Sequence, residues 1–295
     1  MVKASGPAKG KGVIVCDDPS DALLAAEKIM VDKIFGASGE KLVVEEKVTG
    51  PEVSILALVD GRNIYVLESA QDHKAIHDND MGPNTGGMGA YTPVPFVSEQ
   101  VLQLIERQIL VPIVDAVNRG GNMFTGVLYA GLMLTTTGPK VLEFNTRFGD
   151  PETQPILMRL KSDIVEALLA TAEGRLDEIT LQWDTRSAVC VVMASGGYPG
   201  KYETGKIITG INEPLSVPDV MVFHAGTKLD DKGNLLTAGG RVLGVTALGE
   251  TLADAKRRAY NAVSKISFEG MQYRKDISDK AANHKTTAQC NYNER

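Results

Sequence analysis

Apolar residues along this chain follow two different periods, which predict a mixture of strands and helices. Short runs rich in Val, Ile and Leu are typical of buried strands. Longer segments repeat apolar residues every three to four positions and are typical of helices with one buried face. The predicted strands span residues 41–44, 53–59, 64–68, 126–134, 141–142, 188–193, 220–225 and 240–246. The predicted helices span residues 17–34, 98–120, 163–172 and 252–266.

The pattern of elements changes along the chain and predicts an α+β protein with several units. Helices and strands alternate up to about residue 182, whereas from Trp183 onwards short strands and glycine turns dominate, with a single helix. We therefore expect units at residues 1–62, 63–182 and 183–277. The segment 278–295 is polar and aperiodic, so we predict that it is disordered.

A row of polar side chains follows the predicted strand 141–142. Glu143, Asn145 and Arg147 are spaced by two residues, so in extended backbone they project to the same face. A carboxylate and an amide oxygen suit Mg²⁺, which proteins hold with one or two carboxylates plus substrate phosphates. A guanidinium beside them would stabilise phosphoryl charge. The spacing alone leaves open the alternative of a polar edge strand without a ligand.

The chain begins with a strand, a loop rich in glycine and lysine, and a second strand. Glycines let backbone N–H groups approach an anion, while Lys3, Lys9 and Lys11 add positive charge. The loop is not a P-loop, because Gly12 follows Lys11 and no helix begins there. A hairpin that covers phosphates fits this pattern, and a plain basic hairpin is the alternative. Because domains rarely begin inside such an element, we expect the natural chain to extend before Met1.

Acidic residues collect where strand 41–44 ends and the next strand begins. Glu45, Glu46 and Glu52 are placed to accept hydrogen bonds from an adenine amino group or from ribose hydroxyls. Solvated surface charge is the commoner interpretation of such residues.

Four glycines within residues 82–89 exclude a helix there. Such a loop passes close to another group, and its N–H donors suit a carboxylate or a phosphate. A flexible linker is the alternative, although Pro83, Met88 and Tyr91 are unusual in linkers. His73 lies nearby in the sequence, and because a lone histidine is more often structural than a ligand, we assign it no role.

Composition and charge narrow the function further. The 295 residues are 43% hydrophobic and 23% charged, which is ordinary for a soluble protein with a substantial core. A net charge of −6 and only 5% aromatic residues argue against binding nucleic acid. No apolar run approaches the roughly 20 residues of a membrane span, and no signal peptide pattern opens the sequence. The three cysteines, Cys16, Cys190 and Cys290, lie far apart in the sequence, which is typical of reduced thiols. We therefore expect a cytoplasmic protein.

Two of these segments resemble signatures of the phosphoribosylamine–glycine ligase family, the glycinamide ribonucleotide synthetases of the ATP-grasp superfamily. One is Arg147-Phe148-Gly149-Asp150-Pro151-Glu152, and the other is the glycine-rich segment 82–91. The resemblance extends from Val2 to about Ile277. It implies an ATP-grasp fold with a lid subdomain (1–62), a central domain (63–182) and a C-terminal β-rich domain (183–277).

The resemblance also implies a reaction and the residues that carry it. The family joins glycine to 5-phosphoribosylamine in purine synthesis, using ATP and passing through glycyl phosphate. The implied metal ligands are Glu143 and Asn145, for Mg²⁺ or, as an alternative, Mn²⁺. The implied nucleotide-binding residues are Lys3, Ser5, Gly6, Gly10, Lys11, Gly12, Val13, Glu45, Glu46, Lys47, Val48 and Glu52. The implied catalytic residues are Arg147 and Asp150, and the implied substrate-binding residues are Asn84, Thr85, Gly86 and Gly87.

The chain departs from the family in three places. By this resemblance, this sequence lacks the family's doubly wound N-terminal domain and the first part of its central domain. The loop rich in glycine and lysine that follows the first strand is more basic than is usual in the family at residues 7–9. Ser278 and Asp279 stand where glycine and an aromatic residue are usual. We therefore expect the chain to keep most nucleotide contacts but to be weakly active or inactive alone.

Two other functions remain open at this point. Another ATP-grasp carboxylate–amine or carboxylate–thiol ligase would share Glu143, Asn145 and the lid, but has no reason to carry the segment 82–91. A non-catalytic nucleotide-binding module is the second alternative. For the family function we also expect fusion to, or association with, other purine-synthesis enzymes.

Overall fold

The computed structural model describes residues 1–8 and 12–283 of the chain. Two residues predicted to bind nucleotide, Gly10 and Lys11, lie outside the described residues, as does the predicted tail from 284 to 295. The beginning of that tail differs from the predicted disorder, because a short helix spans Lys280–Asn283. Its Ala281 is buried in the same core as Ile277, which explains why this segment is ordered.

Sixteen strands and eight α-helices form within the described part of the chain. The strands in chain order are β1 (Val2–Ala4), β2 (Val13–Ile14), β3 (Leu42–Val44), β4 (Glu52–Asp60), β5 (Ile64–Val66), β6 (Gln71–Asp72), β7 (Ala75–His77), β8 (Met81–Asn84), β9 (Gly89–Thr92), β10 (Thr125–Thr135), β11 (Gly138–Asn145), β12 (Ser187–Ala194), β13 (Val220–His224), β14 (Thr227–Leu229), β15 (Leu235–Thr237) and β16 (Arg241–Gly249). The helices are α1 (Pro19–Met30), α2 (Glu99–Ile105), α3 (Val111–Arg119), α4 (Thr153–Arg159), α5 (Ile164–Glu173), α6 (Asn212–Leu215), α7 (Leu252–Val263) and α8 (Lys280–Asn283). A π-helical turn (Glu106–Leu110) joins α2 to α3. Helices packed on antiparallel sheets confirm the predicted α+β class.

A small N-terminal unit, which we call the flap, consists of strands β1 to β3 and helix α1. Its three strands form an antiparallel sheet of order β2-β1-β3 with α1 packed against it. Helix α1 begins at Pro19 because the side chain of Asp18 accepts a hydrogen bond from the N–H of Asp21 (2.9 Å). The pairing of Val2 with Ile14 confirms the predicted N-terminal hairpin.

The central sheet has the order β11-β10-β4-β5 and is antiparallel throughout. Successive residues of β4 alternate between two cores, as strand geometry requires. Ile55 and Ala57 face α2 and α3, whereas Leu56 and Leu58 face α4 and α5. Strand β4 is therefore buried on both faces, which is why its residues 53–59 are apolar except for Ser54.

A third, five-stranded sheet of order β13-β16-β12-β9-β6 joins the glycine-rich segment to the C-terminal part of the chain. Strand β9, the second half of the predicted glycine loop, pairs with β12, and helix α7 packs across β12 and β16. This sheet crosses the predicted boundary at residue 182. Likewise β4 pairs with β10 and not with the flap, so the predicted unit 1–62 contains parts of two sheets.

Among the described residues, no helix is both long and apolar enough to cross a membrane. Cys16 and Cys190 are buried and form no disulfide, and burial raises the pKa of the Cys190 thiol to about 12. A thiol with so high a pKa stays protonated at neutral pH and is a poor nucleophile, as expected of a buried structural cysteine. Cys290 lies outside the described residues.

Candidate active site

A cavity of about 530 Å³ lies between the flap, the central sheet and the glycine-rich segment. Most residues predicted for the site line it: Lys3, Val13, Glu45, Glu46, Val48, Glu52, Asn84, Thr85, Gly86, Glu143, Asn145, Arg147 and Asp150. Other lining residues had been assigned no role from the sequence, among them Ser54, Asp72, Lys74, Tyr129, Lys140 and Glu152. The structure thus brings the separate sequence motifs around one space.

The polar row at the end of β11 faces this cavity as one set. Asn145 Nδ2 donates a hydrogen bond to Glu143 Oε1 (3.2 Å), and Arg147 Nη2 donates one to Asn145 Oδ1 (3.4 Å). Arg147 Nη1 also donates to the carbonyl oxygen of Phe148 (2.8 Å). These contacts confirm that Glu143, Asn145 and Arg147 share a face, as the spacing of two residues predicted.

A β-bulge in β11 connects this row to the flap. The register with β10 shifts between Gly131 and Leu132, which leaves Leu142 outside the ladder. The carbonyl oxygen of Leu142 instead accepts a hydrogen bond from Nζ of Lys3 in the flap (3.1 Å). Lys3 also forms an ion pair with Glu45 (2.5 Å). The basic flap is therefore seated directly on the strand that carries the polar row.

The predicted adenine and ribose residues lie beside lysines at the cavity wall. Lys140 Nζ is 4.0 Å from Glu46 Oε2, and Lys74 Nζ is 3.6 Å from Glu52 Oε2. Both glutamates keep a substantial exposed fraction, 76% for Glu46 and 41% for Glu52. Their carboxylates therefore remain accessible to hydrogen-bond donors on a ligand.

Some predicted residues do not line the cavity: Ser5, Gly6, Gly12, Lys47 and Gly87. The N–H groups of Ser5 and Gly6 donate to the carbonyl oxygens of Lys41 (2.9 Å) and Ser38 (3.0 Å). A Cβ on Gly6 would lie 2.6 Å from Ser38 Cα, so packing inside the flap requires this glycine. Both N–H groups are bonded within the flap, so the predicted part of Ser5 and Gly6 in binding nucleotide would come through the shape of the flap. Lys47 forms an ion pair with Asp17, at the flap surface.

Buried hydroxyl and carboxyl groups form a network at the cavity wall. Glu152 Oε1 accepts hydrogen bonds from Ser54 Oγ (2.9 Å) and Tyr129 Oη (2.8 Å). Burial raises the pKa of Glu152, and the charge of Asp72 raises it further. Burial also raises the pKa of Tyr129, so its hydroxyl remains a donor. The sequence analysis did not predict this network. The feature that could have indicated it is a polar residue, Ser54, inside the otherwise apolar strand β4.

Lys74 provides a fixed positive charge near this network. Its Nζ donates to both carboxylate oxygens of Asp72 (3.1 and 3.0 Å). Burial opposes the charge on Lys74, but the neighbouring carboxylates, Asp72 foremost, outweigh burial and hold the pKa of the ammonium well above its ordinary value. Lys74 therefore stays charged in the neutral pH range. The feature of the sequence that could have indicated this pair is the polar run 71–74, which precedes the glycine-rich loop.

The chemistry of the polar row fits Mg²⁺. Glu143 offers carboxylate oxygens and Asn145 a carboxamide oxygen, both on the cavity wall. In the described part of the chain, no group of three or more His, Cys, Asp or Glu side chains could hold a metal alone. Magnesium does not require three protein side chains, because it commonly takes one or two protein ligands and completes its coordination shell with substrate phosphates and water.

Comparison with known proteins identifies the family of the chain. The family described as phosphoribosylglycinamide synthetase, ATP-grasp (A) domain, matches residues 1–153, and the C domain of the same synthetase matches residues 188–280. The chain belongs to the phosphoribosylglycinamide synthetase family. The resemblance drawn from residues 147–152 and 82–91 is therefore confirmed.

Curated relatives of the family are closely similar but longer. A phosphoribosylamine–glycine ligase from Rhodopirellula baltica is 57% identical over 282 residues, which are 95% of this chain and 64% of the relative. The ligase of the same name from Escherichia coli K12 is 50% identical over 283 residues, or 95% of this chain and 66% of the relative. The chain thus spans 64–66% of the length of these two relatives.

Solved structures agree with this assignment. The phosphoribosylamine–glycine ligase of Thermotoga maritima has a TM-score of 0.82 and 36% identity, covering 94% of this chain and 68% of that one. A biotin carboxylase domain from Hydrogenobacter thermophilus, solved with MgADP and bicarbonate, has a TM-score of 0.67 and 15% identity, covering 92% of this chain and 58% of that one. At 15% identity this neighbour shows the fold alone. Together with the family match, these neighbours confirm the predicted ATP-grasp fold.

Proposed function

We propose that this chain belongs to an enzyme that ligates glycine to 5-phosphoribosylamine, giving glycinamide ribonucleotide, ADP and phosphate in purine synthesis. The observation that carries the proposal is the polar row of Glu143, Asn145 and Arg147, which lies beneath Lys3 of the flap. The glycine-rich loop lines the same cavity. The name shared by the relatives, phosphoribosylamine–glycine ligase, points to the same reaction.

The flap end of the cavity is the proposed site of ATP. Lys3 neutralises phosphate charge, while the accessible carboxylates of Glu46 and Glu52 accept hydrogen bonds from adenine and ribose. Ser5 and Gly6 contribute by shaping the turn of the flap, because their N–H groups are already bonded. The complete set proposed to contact or enclose nucleotide is Lys3, Ser5, Gly6, Gly10, Lys11, Gly12, Val13, Glu45, Glu46, Lys47, Val48 and Glu52, of which Gly10 and Lys11 lie outside the described residues.

Glu143 and Asn145 are the proposed ligands of Mg²⁺, for which Mn²⁺ is an alternative. When bound, the ion neutralises charge on the transferring phosphoryl group. The protein's part is to keep the two side chains in place. Asn145 is held between Glu143 and Arg147 by hydrogen bonds on both sides of its amide.

The proposed reaction has two displacement steps. First, a carboxylate oxygen of glycine attacks the γ-phosphorus, the bond to the β–γ bridging oxygen breaks, and ADP leaves with the electron pair. Arg147 is proposed to stabilise the phosphoryl group during this transfer. Second, the amine nitrogen of 5-phosphoribosylamine attacks the acyl carbon of glycyl phosphate, the carbon–oxygen bond breaks, and phosphate leaves while the nitrogen loses a proton.

The glycine-rich loop and the turn at Asp150 are the proposed site of the two smaller substrates. Asn84, Thr85, Gly86 and Asp150 all line the cavity. Gly87 is the member of the predicted set that does not. The flap would exclude water from this space, because an acyl phosphate exposed to water is hydrolysed.

Three further proposals concern the chain as a whole. Since it spans 64–66% of these relatives, we expect it to bind nucleotide but to turn over slowly alone. We propose a cytoplasmic location and small-molecule substrates, without nucleic acid or membrane partners. Association with, or fusion to, other purine-synthesis enzymes is proposed from the family function.

The test uses the purified 295-residue chain. Calorimetric titration with ATP, with and without Mg²⁺, should show binding that depends on the ion. ADP release is then measured with glycine or with alanine or serine in its place. Hydroxylamine is included because it converts an acyl phosphate to a hydroxamate and free phosphate. We expect slow glycine hydroxamate formation that is abolished in Arg147→Met.

Each other result has a defined meaning. Equal ADP release with all the amino acids would favour a different carboxylate–amine ligase, and Mg²⁺–ATP binding without any release would favour a non-catalytic nucleotide-binding module. No ATP binding at all would overturn the site. Rapid glycinamide ribonucleotide formation when 5-phosphoribosylamine is supplied would contradict the expected low activity of the chain.

A further inference from the structure

The backbone of Gly86 is held at both its N–H and its carbonyl oxygen by side chains from the C-terminal part of the chain. Its N–H donates a hydrogen bond to Tyr198 Oη (3.0 Å). Its carbonyl oxygen accepts one from Arg241 Nη1 (2.9 Å). Tyr198 lies after β12 and Arg241 begins β16, so two separate segments hold one glycine. A loop backbone held on both sides loses the freedom that glycine otherwise gives it.

Arg241 also joins this loop to the turn at Asp150. Its Nη1 donates to the main-chain oxygen of Asp150 (2.7 Å) and approaches the carbonyl oxygen of Gly87 (3.3 Å), while its Nη2 donates to Asp150 Oδ2 (2.9 Å). The guanidinium is planar and carries several donors in a fixed fork, so it can hold both segments at once. A lysine ammonium at this position could not reproduce that arrangement.

The glycines of the loop are required by this close approach. A Cβ on Gly86 would lie 3.0 Å from Arg241 Cζ. Gly87 has a φ of +114°, and a Cβ there would lie 2.4 Å from Pro151 Cδ. Larger side chains would therefore push the loop away from Arg241 and from the Asp150 turn. Loop, turn and guanidinium form one packed unit.

This unit is built from segments other than the flap, which contacts the carbonyl oxygen of Leu142 through Lys3. Leu142, which accepts the hydrogen bond from Lys3, precedes Asn145 by three residues, or roughly 10 Å of strand. Asp150 follows further along the chain. Gly86 and Asp150 line the cavity, whereas Arg241 and Tyr198 do not. Arg241 and Tyr198 can therefore influence a ligand only through the groups that they hold.

We propose that Arg241 and Tyr198 are positioning residues for the small carboxylate and amine substrates, and not for the nucleotide. They hold the Gly86 backbone and the Asp150 carboxylate in the geometry that these substrates meet. The proposal rests on the proposed function, because it assigns the cavity wall at Gly86 and Asp150 to glycine and the amine. It adds a role for the part of the chain after Glu152, from which no described residue lines the cavity.

The experiment compares Arg241→Lys and Tyr198→Phe with the unchanged chain. Glycine-dependent ADP release is measured with hydroxylamine present, and KM is determined separately for glycine and for ATP. Hydrogen exchange of the backbone amides of residues 82–89 is followed in parallel. The controls are Arg186→Lys, whose arginine pairs with Asp184 and Asp219, and Tyr202→Phe, whose ring contacts that of Tyr198.

We expect the KM for glycine to rise about tenfold or more in Arg241→Lys, because hydrogen bonds to a charged group are lost. Tyr198→Phe should raise it about three- to tenfold, as expected for one neutral hydrogen bond. In both variants the KM for ATP should stay within about twofold of the unchanged value, because the removed bonds hold Gly86 and Asp150 and not the residues proposed to bind nucleotide. Exchange should accelerate at residues 82–89 in both, and in neither control.

Three results would overturn the proposal. They are equal changes in the KM for glycine and for ATP, an unchanged KM for glycine, and exchange at residues 82–89 no faster than in the controls. Tyr198→Phe keeps the test decisive if Arg241→Lys unfolds, which its urea midpoint would show. If the unchanged chain releases no ADP with glycine, the slow turnover proposed for it is absent, and exchange at residues 82–89 alone decides whether Arg241 and Tyr198 hold the loop.

Discussion

Nζ of Lys3 lies 3.1 Å from the carbonyl oxygen of Leu142, the residue of β11 that the bulge removes from the ladder with β10. A local irregularity of the central sheet thus provides the acceptor that seats the flap. Glu143 and Asn145 follow directly on the same strand. The flap and the proposed metal ligands are therefore connected through one short segment, and changes in that segment should affect nucleotide binding first.

Replacing Lys3 tests the flap contact. We expect Lys3→Met to weaken Mg²⁺–ATP binding by at least about tenfold, because a hydrogen-bonded charge contributes about 1.5–3 kcal/mol. Isothermal titration calorimetry measures the change. The control is Lys28→Met, which removes the same charge from an exposed position on α1. An equal loss of affinity in both variants would show that only net charge matters, and would contradict the contact.

Replacing Glu143 tests the proposed metal site. Glu143→Gln keeps the shape of the side chain but removes its charge. We expect the Mg²⁺ concentration for half-maximal ATP binding to rise by at least about tenfold, since even the partners of metal ligands change metal affinity 10- to 100-fold. Titration of Mg²⁺ at fixed ATP measures this shift, with the exposed Glu166→Gln on α5 as the control. An unchanged Mg²⁺ dependence would remove Glu143 from the proposed site.

His73 makes the stability of the fold depend on pH. Burial, assisted by the charges of Lys280 and Arg274, lowers the pKa of His73 to about 3. In the unfolded chain the pKa returns to about 6.5, so below that value the unfolded state binds a proton that the folded state does not. The stabilising contribution is complete above pH 6.5 and is lost as the pH falls toward 3, by up to about 1.4 kcal/mol per pH unit.

The histidine prediction is tested by urea unfolding at pH 6.5 and pH 5.5. The unchanged chain should lose about 1 kcal/mol more stability over this interval than His73→Gln, which cannot take up a proton. His77→Gln, at an exposed position, serves as the control and should keep the pH dependence of the unchanged chain. Identical pH dependences of the unchanged chain and His73→Gln would show that His73 is accessible to protons in the folded state.

Ser278 is strained in the folded chain. Its φ is +75°, in the left-handed region that costs an L-residue roughly 1–2 kcal/mol and glycine little. Ser278→Gly should therefore raise the free energy of unfolding by about 0.5–1 kcal/mol, after the greater unfolded-state entropy of glycine is subtracted. Ser278→Ala keeps the Cβ and should bring no gain. Urea denaturation compares the two, and an equal gain in both would assign the effect to the lost hydroxyl instead.

Patterns confined to a few neighbouring residues predicted much of the fold. The helix expected over residues 98–120 forms as α2, a π-helical turn and α3, and Ser98 Oγ caps it by accepting a hydrogen bond from the N–H of Val101 (3.4 Å). The shared face of Glu143, Asn145 and Arg147 follows from the two-residue repeat of a strand. In each case the determining geometry lies within one element, so the sequence alone was sufficient.

Contacts between distant segments were decided only by the tertiary structure. Glu152 lies in the motif 147–152, but the hydrogen bonds of its buried carboxyl group involve Ser54, which is 98 residues away. Arg241 is 91 residues from Asp150, and Tyr198 is 112 residues from Gly86. The sequence determined which residues could share a strand face, cap a helix or form a tight loop. It did not determine which sheet edge meets which loop, because that depends on how complete elements pack together, and no local period encodes it.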